Sequence, residues 1–286
     1  MKKSTLLHLR VPFSFFLLPV FLLACASAST YSWPDLLLCF FILHLLVYPA
    51  SNGYNSYFDK DEQSIGGLKH PPKVSKELYQ VSILLDLIAL ILSLLISLEF
   101  TLMVLIYGLV SKAYSHPAIR LKKQPILGWL AAGIFQGYFT FLLSIMAMES
   151  IRFTDTLIIA YQLPAILTTV LLLGSYPMTQ VYQHEEDEKR GDRTISRLLG
   201  ILGTFHFTAI AFALASAGFF YYFSTSYSLL SSILFLVFLA PVLIFFGVWY
   251  MKVRSDRLAA DHTNTMRLNL ISSLMLNAFF IYLWVS

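Results

Sequence analysis

Two short stretches gather most of the groups in this chain that could do ionic chemistry. The first reads Asn52-Gly-Tyr-Asn55-Ser-Tyr-Phe-Asp59-Lys-Asp61-Glu62-Gln63, and the second Tyr182-Gln-His-Glu185-Glu186-Asp187-Glu188-Lys-Arg190-Gly191-Asp192-Arg193. Together they hold eight of the sixteen acidic residues. Each follows an apolar run long enough to cross a bilayer, where carboxylates are costly unless they hold cations or line a polar cavity. In the first stretch Asn55, Asp59 and Gln63 fall at i, i+4 and i+8, with Asn52 three residues earlier, so a continuous helix would set all four on nearly one face. Such a row of amide and carboxylate oxygens suits a hard cation like Mg2+, which bridges a few carboxylates to substrate phosphates. In the second stretch Gln183, Asp187 and Gly191 repeat the spacing, and Glu186 and Asp187 stand beside Arg190 and Arg193. A solvated acidic helix end would explain either cluster alone. Two of them on one membrane face favour a metal-diphosphate site.

Between the clusters lies Tyr114-Ser115-His-Pro117-Ala-Ile-Arg120-Leu-Lys122-Lys123. Arg120 can grip phosphate oxygens with a bidentate fork and Lys122 with a point charge. Taken alone, the segment reads as a topogenic basic cluster.

The elements that must position these groups are membrane helices. The chain is 57% hydrophobic and only 13% charged, with mean hydropathy +0.70, against roughly 25% charged for a soluble domain. Apolar runs predict nine spans, at about 11–29, 35–54, 78–98, 100–116, 126–147, 155–178, 197–220, 228–250 and 268–285. Only Glu99 marks the turn between the third and fourth. Pro164 and Pro241 fall inside spans, where neighbouring helices can satisfy the freed carbonyls. No hydrophilic stretch is long enough for a soluble domain, so residues 1–286 read as one all-α polytopic membrane bundle.

Charge sets the orientation. With a cytoplasmic N-terminus, 19 of the 20 Lys and Arg residues fall on the cytoplasmic side and Arg152 alone falls opposite, as the positive-inside rule requires. Both acidic clusters and the basic segment then share that face. The basic surplus reads as orientation and contact with anionic lipid. Nucleic acid is not implied, because the cations are dispersed over membrane-bounded loops. Cys25 and Cys39 lie within spans and suggest neither a disulfide framework nor a metal site. Met1 to Ala28 resembles a signal peptide, but its apolar run exceeds a signal core of about 7–15 residues, and a retained first span is expected. Asp86 inside the third span must have a partner. His44 and His206 read as hydrogen-bonded packing residues, and Tyr138 with Gln136 as candidates to face a cavity.

The three polar segments, in their order and spacing, resemble the UbiA superfamily of intramembrane prenyltransferases, and the resemblance covers essentially the whole chain. The family's motifs are Asn-Asp-x-x-Asp-x-x-x-Asp, Tyr-Ser-x-x-x-Arg-Leu-Lys and Asp-x-x-x-Asp before a Gly. The entry to the first helix through Arg10 and Pro12 is similar as well. The resemblance implies nine helices around a central cavity, a prenyl diphosphate held under cytoplasmic caps, and two Mg2+ ions that promote departure of pyrophosphate. It implies catalytic roles for Asp59 and Asp187, metal ligation by Asn55, Asp59, Gln63, Glu186 and Asp187, and diphosphate binding by Arg10, Asn52, Tyr114, Arg120 and Lys122. The prenyl group would pass to a lipophilic acceptor, and an aromatic one, as in quinone-like lipid synthesis, is the leading expectation. Ser56, Gln63 and Gln183 depart from the pattern, each standing where the family has Asp, and Asp61, Glu62, Glu185, Glu186 and Asp192 are near enough to compensate. Internal cyclisation, as in a terpene cyclase of the same fold, is the alternative within the class. A secondary transporter is the alternative outside it, opposed by acidic groups at helix ends and not at the midplane.

The charge count generates a test. Single cysteines placed at Ser64 and Ser226 should label from opposite sides of the membrane, Ser64 from the cytoplasm. Labelling of both from one side would overturn the threading.

Overall fold

The computed structural model describes residues 1–286, which fold almost wholly into helices. Eleven helices matter here: α1 Lys3–Leu9, α2 Leu18–Ser27, α3 Trp33–Asp59, α4 Lys76–Ser93, α5 Leu98–Ser115, α6 Pro125–Glu149, α7 Ile159–Thr179, α8 His184–Arg190, α9 Ile195–Ser226, α10 Leu229–Ser255 and α11 His262–Val285. Seven of them are long and apolar enough to cross a membrane. The α1–α2 pair passes the same test only when taken together, and it is bent by 41°. Helix α4 has 18 residues but carries three charged side chains, Lys76, Glu77 and Asp86, and is not one of the seven. Seven spans, or eight with the bent pair, are roughly consistent with the nine read from the sequence, α4 standing where the third was expected.

Departures from the expected boundaries have local causes. The first span is not one straight helix, because Arg10 adopts φ 47° and Val11–Phe16 tighten into a 3₁₀ turn before α2. The turn between α4 and α5 falls before Glu99. The Ser97 hydroxyl accepts the Phe100 N–H at 3.0 Å and so caps α5, satisfying a helix-start donor. Pro164 and Pro241 sit inside α7 and α10 as expected. Helices α3 and α6 each contain a π-helical stretch, at Ile42–Val47 and Phe135–Phe139, and the second turns Gln136 towards the interior cavity described below.

One end of the bundle carries the polar caps. There lie the C-terminal end of α3, the 60–75 loop, the 116–124 turn, and α8. The other end is closed by aromatic packing, in which Phe223 meets Phe235 and Phe279 with ring centroids 5.2 and 5.1 Å apart. His206 donates to or accepts from the Tyr250 hydroxyl at 2.5 Å, as a packing histidine should. His44 differs from that expectation: it stacks on Phe40 at 4.7 Å and leaves Nε2 without a hydrogen-bond partner. Cys25 and Cys39 are buried free thiols.

Asp86 of α4 finds its partner in Lys112, at the end of α5, with Nζ 2.5 Å from Oδ2. Lys112 also lies 5.0 Å from the Tyr54 ring centroid. Removing one member of a sequestered pair leaves an uncompensated charge, whereas replacing both with apolar groups costs little. Asp86→Leu should therefore lower stability by about 3 kcal/mol, and Asp86→Leu with Lys112→Leu should recover most of that in a detergent melting series. Equal losses in the single and double variants would exclude the pair as the determinant.

Candidate functional site

Most of the residues singled out by type converge on one cavity of about 270 Å³ at the polar end of the bundle, while Arg120 stands behind its wall, bound to Asp192 and Asp59. Four carboxylates line it: Asp59 and Asp61 from the first stretch, Asp187 and Asp192 from the second. Asn52, Asn55, Arg10, Tyr114 and Lys122 line it as well.

The first motif is not one continuous stripe. Helix α3 stops at Asp59, because Lys60 takes the left-handed conformation at φ 52° and ends the hydrogen-bond ladder. The i, i+4, i+8 argument therefore holds for Asn55 and Asp59 and fails for Gln63. Gln63 is exposed and does not line the cavity. The turn at Lys60 brings Asp61 inward instead, to 8% exposure. The sequence spacing could not show this, since nothing in it marks Lys60 as a helix stop. Glu186 is displaced in a similar way. Its two oxygens accept the Glu62 and Gln63 N–H groups at 3.2 Å each, so it ties the second stretch to the first and does not line the cavity.

The second motif is built on α8, which ends at Gly191 with φ 70°. That left-handed cap suits glycine and turns the chain so that the Asp192 N–H donates to the Asp187 carbonyl at 2.8 Å. Asp192 then faces Arg120, which donates to it from Nε at 2.9 Å and from Nη2 at 2.8 Å, a bidentate fork. Arg120 Nη2 also reaches Asp59 at 3.3 Å. The Arg120 backbone is itself left-handed, at φ 47°, an unfavoured state for a non-glycine residue that is held here by the ion pairs around it. Lys122 donates to Asn55 Oδ1 at 2.9 Å and pairs with Asp59. Its turn lies close against α6, where a Cβ on Gly128 would fall 2.8 Å from the Lys122 Cα. Ser115 fixes Asn55 from the other side, donating at 2.7 Å.

Electrostatics follow from this crowding. Burial pushes the Asp187 carboxyl up to about 6, against the opposing pull of Arg190. Burial and the nearby Asp59 charge likewise raise Asp61. The hydrogen bonds to Asp192 raise the Arg120 guanidinium above its ordinary value. Arg10 lines the cavity and donates to the Gly66 and Asn52 carbonyls at 3.1 and 3.3 Å. The Tyr114 hydroxyl pairs with that of Tyr176. Tyr176 was not anticipated from the sequence, being one aromatic among 16 tyrosines. Of the two guesses in α6, Gln136 lines the cavity, while Tyr138 turns away and donates to Gln162 at 2.8 Å.

Below the polar chamber a second cavity of about 170 Å³ continues towards the aromatic end. The two share Phe13, Asn52, Gln136, Tyr176 and Thr179 in their walls. The lower one is mostly apolar, with Leu171, Leu239, Val242 and Phe219 among its lining. A charged head at the mouth and a hydrocarbon tail below would fit this shape.

Nowhere do three carboxylate, imidazole or thiolate groups converge as a ready-made metal cage. Mg2+ does not require one, since it keeps waters and takes one or two carboxylates together with substrate phosphates. Asn55, Asp59 and Asp187 offer an all-oxygen set along one cavity that suits such an ion, provided that Lys122 and Arg120 yield part of their hold on Asp59 and Asn55.

The UbiA prenyltransferase family matches residues 16–271 of the chain. Among solved structures, a UbiA homologue from Archaeoglobus fulgidus bound to GPP and Mg2+ is similar at TM-score 0.69 and 17% identity, over 99% of this chain and 100% of that one. The homologue from that organism bound to DMAPP and Mg2+ gives 0.69 and 18%, over 99% of each chain. An apo UbiA homologue from Aeropyrum pernix K1 gives 0.70 and 16%, over 96% and 98%. No curated protein matches the sequence.

The different placement of the two amides is testable. Gln183 lines the cavity and Gln63 does not, and carboxylate count governs the affinity of an oxygen site for divalent ions. Gln183→Asp should tighten Mn2+ binding to the purified chain by about tenfold, and Gln63→Asp should leave it within about twofold. The reverse ranking, by Mn2+ titration, would place Gln63 in the site after all.

Proposed function

The chain belongs to the UbiA prenyltransferase family, and we propose that it transfers a prenyl group from an allylic prenyl diphosphate to a lipophilic, aromatic acceptor. The observation that carries this reading is the joining of two unlike chambers. The upper one is walled by carboxylates and cations, and the lower one is walled largely by hydrocarbon. An amphiphile with a phosphate head and an apolar tail satisfies both, and a small hydrophilic solute would leave the lower chamber unused. The charge placement in the sequence supports an integral membrane protein whose polar chamber faces the cytoplasm.

In this reading the diphosphate lies between the 116–124 turn and α8. Lys122 and Arg120 exchange part of their hold on Asp59 for phosphate oxygens, and Arg10 approaches from the opposite wall. Asn55 and Asp59 would hold Mg2+ against the diphosphate, with Asp187 across the cavity. When bound, that ion supplies Lewis-acid stabilisation of the charge that develops on departing pyrophosphate. The cations of the chain add to it from fixed positions, which cost no reorganisation as the bond breaks. The prenyl tail lies in the lower chamber, where Leu171, Leu239 and Val242 exclude the water that would quench a cationic prenyl group. The acceptor approaches beside the Tyr114–Tyr176 hydroxyl pair and Gln136, the polar groups nearest the junction of the chambers.

The purified chain should release pyrophosphate from prenyl diphosphates only with Mg2+ and an acceptor, and the product should have the mass of a prenylated acceptor. Asp59→Ala and Asp187→Ala should each lower turnover at least about 100-fold while the protein remains monodisperse. Near-normal turnover in either variant would remove that residue from the reaction. A product mass equal to the prenyl diphosphate less pyrophosphate, formed without acceptor, would replace transfer by cyclisation.

A further inference from the structure

Arg190 stands where the two acidic stretches meet, and its surroundings differ from those of the other cations in the cavity. All three guanidinium nitrogens face carboxylates. Nη1 pairs with Asp61 and lies 3.9 Å from Glu186, Nη2 lies 3.1 Å from Asp187, and Nε lies 3.6 Å from Asp192. Asp61 comes from the first stretch and the other three come from the second. The side chain is 19% exposed. Burial alone would lower this guanidinium, and the Asp61 and Asp59 charges more than reverse that and raise it above its ordinary value.

A phosphate-gripping arginine offers one edge of its fork to the ligand. Arg190 spends both terminal nitrogens on Asp61 and Asp187, and its buried Nε, which makes no hydrogen bond, has the Asp192 carboxylate 3.6 Å away. It is also less adaptable than Lys122, whose ammonium is a point charge on a flexible stem, whereas the guanidinium is a rigid plane. A cation fixed among carboxylates of both clusters neutralises them as a divalent ion held there would.

We propose that Arg190 is a resident cation in place of a second divalent metal, so that this chain binds a prenyl diphosphate with a single Mg2+ at Asn55 and Asp59. The inference rests on the reading of the cavity as a diphosphate site. It also accounts for the amide at Gln183, which lines the cavity. A site that holds its second cation covalently needs fewer carboxylates, and each further one would add repulsion in a buried setting. Arg190 acts through Asp187 and Asp61 and does not touch the reacting atoms, which makes it a positioning residue.

Equilibrium dialysis of the detergent-purified chain tests this, with Mn2+ as the metal and geranyl S-thiolodiphosphate, an unreactive analogue, as the ligand. Metal and analogue retained by the protein are counted separately. The wild type should hold about one Mn2+ per analogue. Arg190→Ala should hold about two, because the vacated carboxylates become available to a second ion. Arg190→Lys keeps the charge and should stay near one, an ordering that a purely structural role would not produce. A ratio of two in the wild type overturns the proposal even if Arg190→Ala fails to fold. So does a ratio of one in both wild type and Arg190→Ala. Failure of the wild type to retain the analogue at any metal concentration would instead remove the diphosphate reading, and the proposal with it.

Discussion

Asp59, Asp61, Asp187 and Asp192 bring four carboxylates to the mouth of a cavity inside an apolar bundle, and each must be neutralised where it stands. An isolated buried charge is expensive, and its cost is recovered only through close, well-oriented partners. The rest of the polar end follows from this requirement. Arg120 spans Asp59 and Asp192, Lys122 joins Asp59 to Asn55, and Arg190 gathers acids from both stretches. The ion pairs thus connect the end of α3, the 116–124 turn and α8, three segments far apart in sequence. They also hold Arg120 in a left-handed backbone that it would not adopt on its own.

The same network makes the site receptive to ligand. Its cations are already gathered and partly buried, so in the proposed reading a diphosphate would meet fixed positive charge at the cavity. The cavity then passes from ionic to apolar within the length of one amphiphile. That transition is made by the π-helical stretch of α6, which points Gln136 inward between the chambers. The small residues of the bundle allow the helices that form these walls to approach closely. Gly137, for example, leaves no room for a Cβ, which would lie 2.8 Å from Thr169.

Likeness to the archaeal homologues at under a fifth identity establishes the fold and says little about side chains. The distinctive chemistry of this chain lies in the caps. Its first motif leaves the helix at Lys60 and turns Asp61 inward, and a guanidinium occupies the space between the two motifs. Each is a local feature with a physical cause, and together they set carboxylates and cations side by side at the chamber.

Hydropathy alone determined that the chain is a membrane bundle, because apolar runs of bilayer length have no other stable use, and the basic loops set an expected direction across the bilayer. Residue type and spacing also picked out Asn55, Asp59, Arg120, Lys122 and Asp187, since helical periodicity places side chains reliably as long as the helix continues. That proviso fixes the limit of the reading. Where the helix stopped at Lys60, Gln63 went to solvent and Asp61 came inside, and where α8 closed on Gly191, Asp192 joined the site. Glu186 became a clasp for the backbone of the other stretch. The partnership of Asp86 with Lys112, the pairing of Tyr114 with Tyr176 and the position of Arg190 join residues 26 to 129 positions apart. Such contacts are decided by how helices pack and where their caps turn, and only the tertiary structure contains that information.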